Sequence, residues 1–244
     1  MSVVTLGNVT KRYGERVALD DVSLEIPRGR FLAVMGPSGS GKSTLLHCAA
    51  GLDVPTSGSV VLGGVDIGEL TETRRTVLRR KHVGFVFQSY NLLPALTVEQ
   101  NLTLPLRLAG TGADRAWLRA LVDRVGLGDR LRHRPAELSG GQQQRAAIVR
   151  ALAARPDVVF ADEPTGALDL RSAREVLDLL RELVDELGQT VVMVTHDPAA
   201  AARAHEVLVM ADGRPVEVLP QPSPEALATR LTSLGSRLTP VGGS

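Results

Sequence analysis

Two glycine turns in this chain are spaced for phosphate chemistry, and they differ in what they can hold. The segment Gly36-Pro37-Ser38-Gly39-Ser40-Gly41-Lys42-Ser43 fills every fixed position of G-x-x-x-x-G-K-[ST]. Glycines at those positions let backbone N–H groups close around β- and γ-phosphates at a helix N-terminus, where the dipole favours anions. Lys42 neutralises phosphate charge, the Ser43 hydroxyl is placed to ligate Mg²⁺, and Thr44 follows in the first turn of the helix. Leu138-Ser139-Gly140-Gly141-Gln142-Gln143-Gln144-Arg145 is another glycine turn opening a helix, without a lysine to hold a phosphate. A phosphate-sensing turn lacking a phosphate loop of its own points to a nucleotide bound by another copy. Asp162 and Glu163 follow the apolar run Val158-Val159-Phe160-Ala161, so they emerge at the carboxyl end of a buried strand. There Asp162 suits Mg²⁺, directly or through water, and Glu163 suits polarisation of an attacking water. The competing reading of this acidic pair is a cap on the next helix. His196, in Val194-Thr195-His196-Asp197, stands where a further strand exits, and taken alone it reads as structural.

The elements that must position these groups are short apolar, often β-branched runs. Phe31–Met35, Val83–Phe87, Asp157–Ala161, Thr190–Thr195 and Glu206–Met210 read as buried strands with helical stretches between them. A helix over Lys42–Ala50 leaves the phosphate loop and stops at Gly51. Ser57–Gly64, with Gly58, Gly63 and Gly64, reads as a turn and short edge strands. Between Ser89 and Pro156 the pattern is mostly helical. Trp117, Leu118, Leu121, Val122 and Val125 form one helix face, Gly126 supplies the stop, and Trp117 reads as core packing. In a doubly wound sheet the phosphate loop and Asp162-Glu163 should be neighbours, so the block at about 89–156 must loop out as a subdomain. One domain then covers 1–220. Residues 221–244 form a helix, striped by Leu227, Leu231, Leu234 and Leu238 and packed on that domain, with Pro240–Ser244 fraying beyond it. No internal repeat is visible, which implies a single unit of this kind.

Composition narrows the function classes. A chain of 244 residues with 43% hydrophobic residues can build a full core, and with 3% aromatics that core is Leu, Val and Ala. The net charge of +1, with no aromatic-interleaved basic stripe, argues against a nucleic-acid partner. Of the 28 basic residues only Lys11, Lys42 and Lys81 are lysines, which makes the one in the phosphate loop stand out. The single cysteine, Cys48, excludes an internal disulfide and reads as a small buried hydrophobe in a reducing compartment. The opening MSVVTLGNVTKRYG has no charged-then-apolar signal segment, and no apolar run approaches the about 20 residues of a membrane helix. Any action on a membrane is expected to pass through another chain.

From about Val4 to Met210 the order of these motifs resembles the ATPase subunit of an ATP-binding-cassette (ABC) transporter. The resemblance implies an α/β P-loop NTPase fold, with a mixed sheet core, an N-terminal antiparallel β-subdomain and an inserted α-helical subdomain. It implies ATP and Mg²⁺ as cofactors. It makes His196 the switch histidine that contacts the γ-phosphate, and Gln88, after Val83–Phe87, the glutamine that reaches Mg²⁺ and the attacking water. It makes Tyr13, in Lys11-Arg12-Tyr13-Gly14, the adenine-stacking aromatic. It also implies that Ser139, Gly140, Gly141 and Gln142 close onto ATP held by a second copy of the chain, packed head to tail, with Asp169 as a polar contact across that interface. The working partner would be an integral membrane permease, encoded separately, which holds the chain at the cytoplasmic face of the membrane. By the same resemblance, the apolar segment Ser89–Leu96 would receive a short cytoplasmic helix of the permease.

Phe87-Gln88-Ser89-Tyr90-Asn91-Leu92-Leu93-Pro94, with Leu96-Thr97 and Leu104-Pro105-Leu106, is similar to cassettes of lipoprotein-release, macrolide-efflux and antimicrobial-peptide-resistance systems. Two positions depart from that branch: Gln100 stands where Glu is usual before Asn101, and Ala167 where Asn is usual before Leu168-Asp169. An alternative from another class is a regulatory ATPase of the cell-division type, which gates a cell-wall hydrolase and transports nothing. The soluble ABC ATPases of DNA repair or translation usually show two cassettes, a coiled-coil insertion or a basic arm, none of which is read here.

Overall fold

Apolar runs with no polar alternation become strands buried on both faces. In the computed structural model, which describes residues 1–238, these are β3 (Phe31–Met35), β7 (Val158–Asp162) and β8 (Thr190–Val194). With β6 (Val83–Phe87), β9 (Glu206–Ala211) and β10 (Arg214–Pro220) they form a six-stranded sheet in the order β10-β9-β3-β8-β7-β6. Every neighbouring pair is parallel except β9 with β10. The phosphate loop and Asp162-Glu163 lie together as expected, with Lys42 feeling both carboxylates, although β3 and β7 are not themselves paired, because β8 lies between them. β7 begins one residue later than expected. Asp157 stands before it, with its carboxylate held by Arg28 at 2.7 Å and by His82.

A second, four-stranded sheet is antiparallel, in the order β2-β1-β4-β5, from β1 (Ser2–Tyr13), β2 (Arg16–Pro27), β4 (Ser57–Leu62) and β5 (Val65–Asp66). The Ser57–Gly64 segment is therefore not an edge: β4 pairs on both sides, and the two-residue β5 forms the border. Val4, Leu6, Val9, Leu19, Ile26 and Leu62 of this sheet pack with Leu45, Leu46 and Cys48 of α1 (Lys42–Ala49). Cys48 is free and buried, and burial pushes its thiol up to about 12, which leaves it unreactive.

α2 (Glu72–His82) leads into β6. Three helices, α3 (Val98–Ala109), α4 (Arg115–Arg124) and α5 (Gly140–Leu152), fill the path from β6 to β7. Val98, Leu102, Leu121, Val122, Ile148 and Val149 join them to the central core. Trp117 packs against that core, its indole N–H donates to Leu152 O at 3.0 Å, and Arg155 lies 4.6 Å from the ring centroid. The departure at Gln100 has a local account. Thr97 caps α3, and the Gln100 Oε1 accepts from the Thr97 N–H at 2.9 Å, completing the box that Glu would also close. α6 (Leu170–Leu187) and the short α7 (Pro198–Ala201) follow β7 and β8. Leu227 and Leu234 of α8 (Pro224–Leu238) are buried, with Leu231 packed beside them. The expectation for Pro240–Ser244 lies outside the described residues. Among the described residues no helix is long and apolar enough to cross a membrane.

Candidate nucleotide site

The parallel register brings the chemistry together. Phe87 pairs with Asp162, and Asp162 pairs with Val194, while Val34 pairs with Val194 from the other side. Gln88, Glu163, His196 and the loop beginning at Gly36 therefore leave the carboxyl ends of β6, β7, β8 and β3, the edge of a parallel sheet where ligands bind.

In the loop itself, two glycines are sterically required. A Cβ at Gly36 would lie 2.2 Å from Met210 O, and one at Gly41, whose φ is 94°, would lie 2.3 Å from Ala18 O. Gly41 is also the N-cap of α1, with no side chain to occupy the helix end. Lys42 Nζ donates to Gly36 O and Pro37 O, both at 2.9 Å, so it spans the loop it follows. Burial holds that ammonium below its ordinary pKa, against the pull of Glu163 and Asp162. Ser38, Gly39 and Ser43 are exposed, whereas Ser40 is buried. A cleft of about 370 Å³ is lined by Tyr13, Arg16, Ala18, Gly39, Gly41, Lys42, Ser43 and Thr44. Arg16 was not anticipated; it is the first residue of β2, paired with Tyr13, and only the fold sets it beside the phosphate loop.

Burial also raises the Asp162 carboxyl above its ordinary value, and Glu163 adds to this, while His47 and Lys42 oppose it. A half-buried carboxylate disfavoured in this way, close enough to Lys42 to interact with it, and the exposed hydroxyl of Ser43, the residue after Lys42, suit the donor set of a hard divalent cation. Glu163 has φ 48°, a left-handed conformation uncommon for this residue and characteristic of functional sites. Its N–H donates to Val194 O at 2.9 Å, and its Oε1 lies 2.8 Å from His196 Nδ1. It caps no helix: α6 begins later and is capped by Asp169, which accepts from Arg171 N and Ser172 N at 3.0 Å. Gln88 is exposed and lies against the following loop, where a Cβ at Gly166 would come within 2.7 Å of its Nε2.

Ser139 is the N-cap of α5. Its hydroxyl accepts from Gln142 N at 3.3 Å, and Gln142 Oε1 accepts from Ser139 N at 3.0 Å. Gly140 and Gly141 open the helix behind this box, and Ser139 is exposed. Gln144, two residues beyond Gln142 and fully buried, had no signal distinguishing it from its neighbours. Its Nε2 donates to Phe87 O at 3.3 Å and Pro164 O at 2.6 Å, tying α5 to the loops that carry Gln88 and Glu163. Gln144→Leu leaves two carbonyls without this donor, so a stability loss of about 1–3 kcal/mol is expected in urea melts. An unchanged midpoint would show that the two loops hold together without it.

The family model for ABC transporters matches residues 19–166. The chain belongs to that family, as its ATP-binding ATPase cassette. It is 49% identical over 218 residues to the macrolide export ATP-binding/permease protein MacB of Burkholderia pseudomallei (strain 1710b), covering 87% of this chain and 33% of that protein. The chain thus spans about a third of the MacB relative's length. It is also 49% identical over 199 residues to an uncharacterized ABC transporter ATP-binding protein of Thermotoga maritima, covering 81% of this chain and 85% of the relative. Among solved structures, the ATP-binding cassette MJ0796, a dimer in a post-hydrolysis state with ADP and Pi, matches with TM-score 0.79 and 40% identity. The match covers 90% of this chain and 99% of that one.

Proposed function

We propose that two copies of this cassette close head to tail over two Mg-ATP and drive a membrane permease in export or in extrusion of a lipoprotein or peptide. The observation that carries the reading is the convergence of Gly36–Thr44, Gln88, Asp162, Glu163 and His196 on one edge of the parallel sheet. The MacB-like relatives and the dimeric solved cassette support the branch and the assembly. Lys42 and the loop N–H groups hold the β- and γ-phosphates, with Tyr13 against the adenine. Mg²⁺, held by Ser43, Asp162 and Gln88, supplies charge neutralisation at the transferring phosphoryl group. Glu163 accepts the proton of the attacking water, and His196 orients Glu163 through their hydrogen bond and meets the γ-phosphate. Ser139 to Gln142 of one copy, together with Asp169 near the interface, complete the site of the other. Asp162→Asn tests the metal assignment: ATP affinity in EDTA stays near wild type, while the gain on adding Mg²⁺ is lost. Full retention of that gain would place the metal elsewhere.

Coupling to the permease, at the cytoplasmic face of the membrane, runs through the segment after Gln88. There Leu92 packs inward, whereas Leu93 and Pro94 are exposed. Buried Asn101 clamps this segment, accepting from Leu93 N at 2.7 Å and donating to the carbonyls of Leu93, Leu96 and Thr97 at 3.0–3.3 Å. Arg150 of α5 donates to Tyr90 O at 2.9 Å and to Asn91 O, so movement of the helical block is transmitted to it. Leu93→Asp is expected to abolish co-purification with the membrane partner and its stimulation of ATP turnover, while the isolated chain keeps its basal rate. Intact association would put the docking surface elsewhere.

A further inference from the structure

Beside the phosphate loop, one carboxylate joins the end of β1 to the loop after α1. Asp53 Oδ1 accepts from Lys11 Nζ at 2.5 Å and from Val54 N at 2.8 Å, and its Oδ2 accepts from the Tyr13 hydroxyl at 2.6 Å. Lys11 also donates to Val54 O at 2.7 Å, and its ammonium lies 4.9 Å from the Tyr13 ring centroid. Lys11 and Asp53 are largely shielded, with side-chain exposures of 12% and 30%, whereas Tyr13 is 49% exposed. Burial opposes the Asp53 charge, but Lys11 and Tyr13 outweigh it and keep the carboxyl below its ordinary range. The Asp53 hydrogen bond, with burial, pushes the Tyr13 phenol up to about 12, so the hydroxyl remains a donor at neutral pH.

A half-exposed ring at the end of a strand would otherwise sample several rotamers, and a base that stacks on it would bear the cost of ordering it. Here the ring is held at its hydroxyl by Asp53 and flanked by Lys11, and its open part borders the cleft shared with Lys42, Ser43 and Thr44. We propose that Asp53, braced by Lys11, is a positioning residue that fixes the Tyr13 ring in advance for stacking on the base of the bound nucleotide. This rests on the reading of Tyr13 as the adenine-stacking residue. Asp53 itself touches no part of the nucleotide; it acts through the ring.

The test compares ATP with inorganic tripolyphosphate, both with Mg²⁺, by titration of the full chain. The second ligand meets the phosphate loop but has no base to stack. Tyr13→Ala is expected to weaken ATP roughly tenfold or more, since base–aromatic stacking is lost. Asp53→Ala and Tyr13→Phe are each expected to weaken ATP about three- to tenfold and to leave tripolyphosphate unchanged. In the Tyr13→Ala background, Asp53→Ala should cause no further loss, which a general effect on folding would not reproduce. Tyr13→Phe keeps the Asp53, Lys11 and Val54 contacts and serves if Asp53→Ala does not fold. If Tyr13→Ala weakens ATP while Asp53→Ala and Tyr13→Phe bind it as wild type, the positioning role is overturned. Equal weakening of ATP and tripolyphosphate by Asp53→Ala overturns it too, because the effect would lie in the phosphate loop. Unchanged ATP affinity in Tyr13→Ala overturns the stacking reading itself, and the proposal with it.

Discussion

Glu163→Gln is expected to bind ATP as the wild type does and to hydrolyse it at least about a hundredfold more slowly, since a general base contributes roughly 10²–10⁴. Gln occupies the same volume and can still hydrogen-bond His196, which lies 2.8 Å from Glu163 Oε1, so the geometry survives while the proton acceptor is lost. With turnover blocked, the ATP-bound dimer should accumulate on size exclusion. The helix-cap reading predicted a different result, near-normal turnover with reduced stability. The capping of α6 by Asp169 removes the structural basis for it. Single-turnover hydrolysis with melting curves on the same samples separates the two. Wild-type turnover would remove Glu163 from the chemistry, and a monomer at saturating ATP would count against the closed dimer.

The second large effect comes from mixing two inactive variants. Lys42→Ala removes the ammonium that spans Gly36 and Pro37 and is expected to abolish tight ATP binding. Ser139→Arg leaves the chain's own phosphate loop intact, yet places a bulky side chain on the exposed turn that would meet the other copy's nucleotide. Its own binding of ATP should be near normal and its hydrolysis lost, with reductions of about 10²–10³ when one transition-state contact is removed. The lost cap on α5 accounts for only about 1 kcal/mol. In a mixed dimer one composite site carries both defects and the other carries neither, so part of the activity should return. No recovery, with mixed dimers shown to form, would argue against sites shared between copies.

Much of the site was legible because its parts are local. Gly36 to Ser43 is one contiguous turn whose glycines answer to backbone clashes, and any correct fold of that strand and helix carries the whole loop. β3 and β6 were readable to the residue, since an apolar run ended by a polar or glycine residue marks its own length. The N-terminal sheet was harder to read. Register shifts interrupt β1 against β2, and Asn8 and Asp21 take positive φ, so the period-two alternation that identifies a half-buried strand is broken.

By itself the sequence determined the phosphate loop, the acidic strand end, the capped glycine turn at Ser139 and the strands that carry them, because propensity, sterics and burial act over a few neighbouring residues. Tertiary structure alone decided that β8 separates β3 from β7, that β4 is an interior strand, and that Gln88, Glu163 and His196 share one sheet edge. It also decided that Arg16 borders the cleft, that buried Gln144 joins two loops, and that Asp53 grips Tyr13 across a separation of 40 residues. These contacts depend on strand order and register, which arise from long-range pairing and the packing of two cores, and no local pattern encodes which distant partner a polar side chain will meet.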